Sequence, residues 1–274
     1  MQLRFPGGRG KALTLSYDDG VVQDIRLIGI MDKYGLKGTF NINSAAYLPE
    51  DAVRERFYGR MKLSEAKKLY IGSGHEVAVH AYTHPFLEKL DSTEVLSEII
   101  EDRRAIERDY GTIARGMAYP FGTYSEQVVD ILDKCHIAYA RTTKATFRFD
   151  LPENWLTLHP TCHHNYENLP LLAQSFVEKQ NKWGTPELFY LWGHSYEFDN
   201  DDNWDVIERF AEQTGGHDEI WYATNIEIYE YVKAYERLEM SFDKKLFRNP
   251  SAVDVWFEHR KDVYCVPAGK GLEI

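Results

Sequence analysis

From residue 12 to about residue 239, short apolar runs of strand length alternate with stretches whose apolar residues recur at helical spacing. No other property of the chain narrows its fold so far. Parallel strands cannot be joined by a tight turn, so this alternation implies parallel strands connected by crossover helices. Repeated this often, it predicts a sheet closed into a barrel. A doubly wound open sheet is the runner-up, but no Gly-rich phosphate loop follows the first strand.

The pattern places strands at residues 12–15, 39–42, 76–79, 117–119, 136–140, 155–158, 188–192 and 220–223. The first helix carries Ile25, Ile28, Met31 and Tyr34 and stops at Gly35. A polar connection over residues 49–60 leads to a short helix near residues 64–70. Asp91 with Glu94, and Thr224 with Glu227, read as capping boxes of two later helices. Ser125 opens another helix, Pro170 sits in the first turn of one running to about Lys179, and residues 204–211 form one more. From Ser241 the pattern changes: residues 253–258 and 263–266 alternate like a hairpin across 259–262. Residues 1–240 are therefore expected to form the barrel and 241–274 a small C-terminal β appendage of the same domain.

The chemically conspicuous polar residues, Asp18, Asp19, His80, Arg141, His159 and His194, all fall at expected strand C-termini. In a β/α barrel that is the face on which active sites are built. The first strand ends in Asp18-Asp19-Gly20, two adjacent carboxylates whose like charges oppose joint ionisation. A bound divalent cation is the simplest partner for both; an Asp-Asp-Gly turn without metal is the plainer alternative. His80-Ala81-Tyr82-Thr83-His84 follows another strand. Its histidines read either as a surface or capping pair or, with Asp19, as three metal ligands that leave a coordination position open, which is the pattern of catalytic sites.

A net charge of −11 disfavours nucleic-acid and anionic-membrane partners. Three cysteines without a CxxC pair fit a reducing compartment. The N-terminus lacks an apolar signal core and no run reaches membrane-spanning length, so a cytoplasmic location is expected. The 18 Tyr, 14 Phe and 6 Trp fill a core or make a sugar-facing surface; composition does not choose between these.

Taken together these motifs resemble the polysaccharide deacetylases of the NodB-homology type, carbohydrate esterase family 4. Ser16-Tyr17-Asp18-Asp19-Gly20 is similar to the family's T-F-D-D-G, and His80-Ala81-Tyr82-Thr83-His84 to its H-[ST]-x-x-H. Ala118-Tyr119-Pro120-Phe121-Gly122 is similar to the Y-P-[YF]-G form of the third motif, and Leu191-Trp192-Gly193-His194 to the last. The opening residues and Asn249-Pro250-Ser251-Ala252-Val253-Asp254-Val255 look most like a subgroup grouped with gellan-lyase-associated deacetylase domains. The resemblance covers about residues 10–235. It implies an irregular barrel and metal-dependent removal of acetyl groups from an N- or O-acetylated carbohydrate, with Zn²⁺ as the expected metal and Co²⁺, Ni²⁺ or Mn²⁺ as alternatives. It also implies Asp18 as general base, Asp19, His80 and His84 as metal ligands, and His194 as general acid. Tyr119, Pro120 and Phe121 would line the substrate, with the Phe121 N–H on the oxyanion.

Trp192 and Tyr196 flank His194 and form either a slot for an acetyl methyl or part of the core. His163, in Thr161-Cys162-His163-His164, reads as structural or as a site-rim residue; Asn41 and Asn43 read as sugar contacts or as turn closers. One departure matters. Ala118 stands where the family's third motif usually begins with an arginine that pairs with the base, and Arg115 points to the opposite face by strand alternation. Arg141 is expected either to bond Asp18 in a two-point fork or to be a surface arginine. The rival readings of function are hydrolysis of a small non-sugar amide on the same fold, as in allantoinase-like relatives, and a catalytically silent carbohydrate-binding domain.

Overall fold

The strands that build the main sheet are short and buried along their length, as expected where both faces of a parallel sheet are covered. Residues 1–53, 59–178 and 184–274 are described in the computed structural model of the chain. In chain order these hold β1 (Gln2–Arg4), β2 (Lys11–Asp18), α1 (Asp24–Lys33), β3 (Gly38–Ile42), α2 (Leu63–Tyr70), β4 (Glu76–Val79), α3 (Ser92–Tyr110), β5 (Gly116–Ala118), α4 (Glu126–Lys134) and β6 (Tyr139–Arg141). Then come β7 (Cys162–His163), α5 (Leu169–Glu178), β8 (Glu187–Gly193), α6 (Ser195–Asn200), α7 (Asp205–Thr214), β9 (Ile220–Tyr222) and α8 (Asn225–Glu236). The chain ends with β10 (Glu239–Met240), β11 (Leu246–Arg248), β12 (Val255–His259), β13 (Asp262–Val266) and β14 (Gly271–Glu273). Part of the expected connection over residues 49–60, namely 54–58, and the expected helix end at Lys179 lie outside the described residues.

The main sheet runs β6-β5-β4-β3-β2-β8-β7, with β9 also on β2. Strand β2 is its axis. One flank pairs in parallel with β8 over Lys11–Tyr17; the other takes β9 over Lys11–Leu13 and then β3 over Leu15–Asp18. Beyond the edge strand β6, Leu158 bridges Arg141 and its carbonyl accepts from the Thr142 N–H at 2.8 Å. The result is a half-barrel of parallel strands, with the C-termini of β2, β4, β5, β6, β7 and β8 gathered at one end.

Two expected strands come out differently. Residues 155–158 form a 3₁₀ turn, Trp155–Thr157, because the Asn154 side chain accepts from the Leu156 N–H at 2.9 Å and only Leu158 reaches a neighbouring strand. Strand β6 begins at Tyr139, not His136. Residues Cys135 to Ile137 close α4: the Ile137 N–H bonds the Leu132 carbonyl at 3.0 Å and His136 is left-handed, φ 57°. Both expected capping boxes are present, at Asp91 and Thr224.

The start of α8 plugs the lower end of the barrel. Asn225 accepts from Thr14 Oγ1 at 2.8 Å and donates to Tyr190 OH at 2.7 Å, while half-buried Glu76 accepts from Thr39, Tyr139 and the Ile226 N–H at 2.8–2.9 Å. The tail folds as two antiparallel three-stranded sheets, β1-β12-β13 and β10-β11-β14. The β12–β13 hairpin turns on Arg260-Lys261, both at positive φ, the two-residue form that matches strand twist. Phe247, Val255, Phe257 and Val266 pack with Ala234 and Leu238 at the end of α8. No helix among the described residues is long and apolar enough to cross a membrane.

Candidate active site

The strand ends converge as follows. Asp18 closes β2 and Asp19 follows it at φ 83°; His80 follows β4; Ala81 and His84 have φ 60° and 62°; Phe121 follows β5 at φ 59°. Four non-glycine residues in the left-handed region at one end of a sheet is a concentration of the kind found where function imposes the backbone.

Asp19, His80 and His84 bring one ligand atom each within 4.8 Å of one another. His84 Nε2 stands 4.0 Å from Asp19 Oδ1. The donor chemistry fits a divalent metal. His80 Nδ1 lies 2.8 Å from the Ala118 carbonyl oxygen, which can only accept, so Nδ1 carries the ring proton and Nε2 keeps its lone pair. Thus Ala118, where the family arginine is missing, supplies the carbonyl that orients a ligand candidate. Burial pushes His80 down to about 4 and His84 below the usual histidine range, so both are neutral and competent to ligate.

A second group, His163, His164 and Glu197, is equally close, but its chemistry differs. His163 Nδ1 accepts the Asn165 N–H at 3.1 Å, which puts the ring proton on Nε2, the atom 3.1 Å from Glu197 Oε2. A protonated nitrogen cannot ligate, so this group is a set of imidazoles gathered on the Glu197 carboxylate. His164 Nε2 stands 3.1 Å from the same oxygen, and His194 Nδ1 stands 3.3 Å from Glu197 Oε1. Burial would raise the Glu197 carboxyl, but the three imidazoles hold it far below the carboxylate range. Gly193 is required here: a Cβ would meet His164 Nδ1 at 2.0 Å.

Asp18 is buried between Arg141 and His194. Arg141 is 0 % exposed; its Nη2 bonds both Asp18 carboxylate oxygens and its guanidinium lies over the Trp192 ring, 4.5 Å from the centroid. The contact is made by one nitrogen and is not the two-point fork, since Nε and Nη1 have no hydrogen-bond partner. Burial would raise the Asp18 pKa, yet the charges of Arg141, His80 and His194 bring it below the ordinary value. Asn41 Nδ2 donates to Asp18 Oδ1 at 2.9 Å. His194 Nε2 is 3.9 Å from Asp18 Oδ2; burial opposes its charge, but Glu197 and Asp18 outweigh burial and raise its pKa.

The remaining sequence candidates separate. Phe121 is exposed, stacked on Phe86 at 3.8 Å and edge-on to His84 at 4.6 Å. Tyr119 and Pro120 are buried, and Tyr119 OH donates to the Leu156 carbonyl at 2.7 Å. Trp192 is buried under Arg141 and His163. His159 lies apart, 2.6 Å from Thr142 Oγ1, and Arg115 reaches Glu230 at 3.6 Å, away from Asp18. Asn43 Nδ2 bonds the His80 and Ala81 carbonyls at 2.5 and 2.9 Å. Sequence reasoning missed Arg60 and Glu197. Arg60 Nη2 is 2.9 Å from Asp19 Oδ1. Glu197 stands three residues after His194 and accepts its N–H at 3.2 Å, a capping-box spacing that could have found it.

A parallel half-barrel with an Asp/His/His donor set, a paired carboxylate and a histidine at its strand C-termini defines the NodB type of deacetylase fold. The polysaccharide deacetylase family model matches residues 6–140, and over that stretch the chain is similar to this family. Among solved structures, the Xyl-CE4 domain of a multidomain xylanase from the hindgut metagenome of Trinervitermes trinervoides superposes with a TM-score of 0.54 at 16% identity, covering 82% of this chain and 92% of that one. A family 4 carbohydrate esterase from Streptomyces lividans, in complex with acetate, gives 0.50 at 16% identity over 75% and 88% of the two chains. The peptidoglycan-N-acetylglucosamine deacetylase PgdA of Listeria monocytogenes is 24% identical over 122 residues, 44% of this chain and 23% of that protein. Protein YlxY of Bacillus subtilis is 24% identical over 127 residues, 46% and 36% respectively. The match therefore spans well under half of either relative.

Proposed function

We propose that this chain is a metal-dependent hydrolase that removes acetyl groups from an N- or O-acetylated carbohydrate. The observation that carries the reading is the division of labour between adjacent aspartates: Asp19 in a three-donor cluster, Asp18 held ionised by Arg141 and facing His194 at 3.9 Å. The family likeness, and relatives named for deacetylation and for bound acetate, support it.

Asp19, His80 and His84 Nε2 would hold the metal, with Zn²⁺ matching two imidazoles and a carboxylate. When bound, it supplies Lewis acidity toward a carbonyl and acidifies water. Asp18, below its ordinary pKa, is ionised near neutrality and takes the proton of an attacking water. His194, its pKa raised, holds a proton on Nε2 and gives it to the departing amine or alcohol. The Phe121 N–H donates to the oxyanion. A silent binding domain has no use for this set of groups.

Acetate release from acetylated oligosaccharides and from small acylated amides, measured with zinc-reconstituted and chelator-treated protein, tests the reading. Release from the oligosaccharides only, and only with metal, is expected. Turnover of the amides alone, or of nothing at all, overturns it.

A further inference from the structure

The three metal-ligand candidates come from two separate segments, Asp19 after β2 and His80 with His84 after β4. A donor set split in this way is useful only if something fixes one segment against the other.

Arg60 does so from a third segment. Gly59 and Arg60 lie antiparallel against the loop after Asp19: the Val22 N–H bonds the Gly59 carbonyl at 2.6 Å and Val21 bridges Arg60. The guanidinium reaches back over Asp19. Nη2 bonds Asp19 Oδ1 at 2.9 Å, and Nη1 bonds the Asp19 carbonyl, clamping a residue whose backbone is left-handed. Nη1 also donates to Asn43 Oδ1 at 3.2 Å. Asn43 in turn donates through Nδ2 to the carbonyls of His80 and Ala81. An unbroken chain of side-chain bonds thus runs Asp19–Arg60–Asn43–His80, joining both ligand-bearing loops without passing through the ligand atoms of the histidines. Asn43 is 1 % exposed, so its amide is committed to this link.

Asp19 Oδ1, the oxygen 4.0 Å from His84 Nε2, is also the one engaged by the planar guanidinium, so Arg60 fixes the rotation of the carboxylate relative to the histidines. We propose that Arg60 and Asn43 form an outer-shell brace that preorganises Asp19 against His80 and His84 and thereby sets the metal affinity of the site. They are positioning residues. The inference rests on Asp19, His80 and His84 holding a divalent metal.

The test is zinc affinity of the full-length chain, by competition with a chromophoric chelator, for wild type, Arg60→Met, Arg60→Lys, Asn43→Ala, the Arg60→Met/Asn43→Ala pair and His80→Ala. Wild type should bind one equivalent and His80→Ala none. Arg60→Met and Asn43→Ala should each weaken binding roughly 10- to 100-fold. The double variant should lose little more than either single one, because the two residues act as one link. Arg60→Lys, which keeps the charge and loses the planar fork, should fall between. Wild-type affinity retained in both single variants, or fully additive losses, overturns the brace. Absence of zinc from wild type instead overturns the metal reading beneath it. Far-ultraviolet circular dichroism of each metal-free variant separates lost affinity from a lost fold, and a variant that is folded and weak counts for the proposal.

Discussion

Arg141 and Asp18 meet at the top of the half-barrel as a fully buried guanidinium and a nearly buried carboxylate, 123 residues apart in the chain. Ala118 and Arg141 are paired neighbours in β5 and β6, so the arginine reaches Asp18 from the strand next to the one where the family motif places it. Removing it leaves an uncompensated carboxylate. Burial then dominates and the Asp18 pKa rises. On the proposed mechanism Asp18 must be ionised, so Arg141→Met should shift the acidic limb of the pH–rate profile to higher pH. It should also destabilise the fold by about 3–5 kcal/mol, as breaking a buried pair does. A pH–rate series with a denaturant titration checks both. An unmoved acidic limb assigns Arg141 to packing alone.

Metal content should separate ligand from base. His80→Ala should lose its zinc, while Asp18→Asn should keep it and lose roughly two to four decades of turnover. Elemental analysis of the two purified variants, alongside their initial rates, is the measurement. Equal metal in both would contradict the assignment of His80.

Glu197 raises the pKa of His194, and the acid must be protonated to act. Glu197→Gln removes that charge, so the His194 pKa falls and the alkaline limb should move to lower pH. Turnover well below that limb should change less than in His194→Ala, which lacks the acid at every pH. A pH–rate comparison of the two variants distinguishes positioning by Glu197 from a purely structural role.

Asp24 is buried, and burial pushes its pKa up to about 7 despite bonds from Ser195 and Tyr70. The folded state therefore holds a proton that the unfolded state releases near pH 4. The associated stability is present at low pH and is lost as pH rises from about 4 to about 7. Thermal melts of metal-free protein should show this decline, and Asp24→Asn should flatten it. An equally steep decline in the variant would place the effect elsewhere, with Glu76 as the next group to change, also near 7.

What was legible in the sequence followed from periodicity and from short motifs. β2, β4 and β8 are buried runs ending in the candidate site residues, so the strands and the end at which those residues gather could be read. Residues 155–158 misled because an apolar quartet is compatible with a 3₁₀ turn, and Asn154 decided the matter through one side-chain bond. The supports of the site were mostly hidden. Asn41 and Asn43 read as sugar contacts or as turn closers, and they spend their amides on Asp18 and on the His80 loop. Arg60 sits in a polar connection with no periodicity, and its role exists only once that segment pairs with Val21 and Val22.

Strand β1 has consequences for how the chain is made. Among the described residues its only strand pairing is with β12, sealed by the Arg4–Glu258 ion pair across 254 positions, and by Tyr231, whose hydroxyl bonds both the Arg4 carbonyl and the Trp256 N–H. On the ribosome, residues 2–4 therefore emerge long before residues 255–259, and wait until those are made before their partner exists. Until then the nascent protein carries an unsatisfied strand edge. Loop-closure entropy makes such a distant pairing late in folding as well as late in synthesis. A segment translated early is among the last secured, and a ribosome stalled ahead of Val255 would present the half-barrel with β1 loose and prone to aggregate.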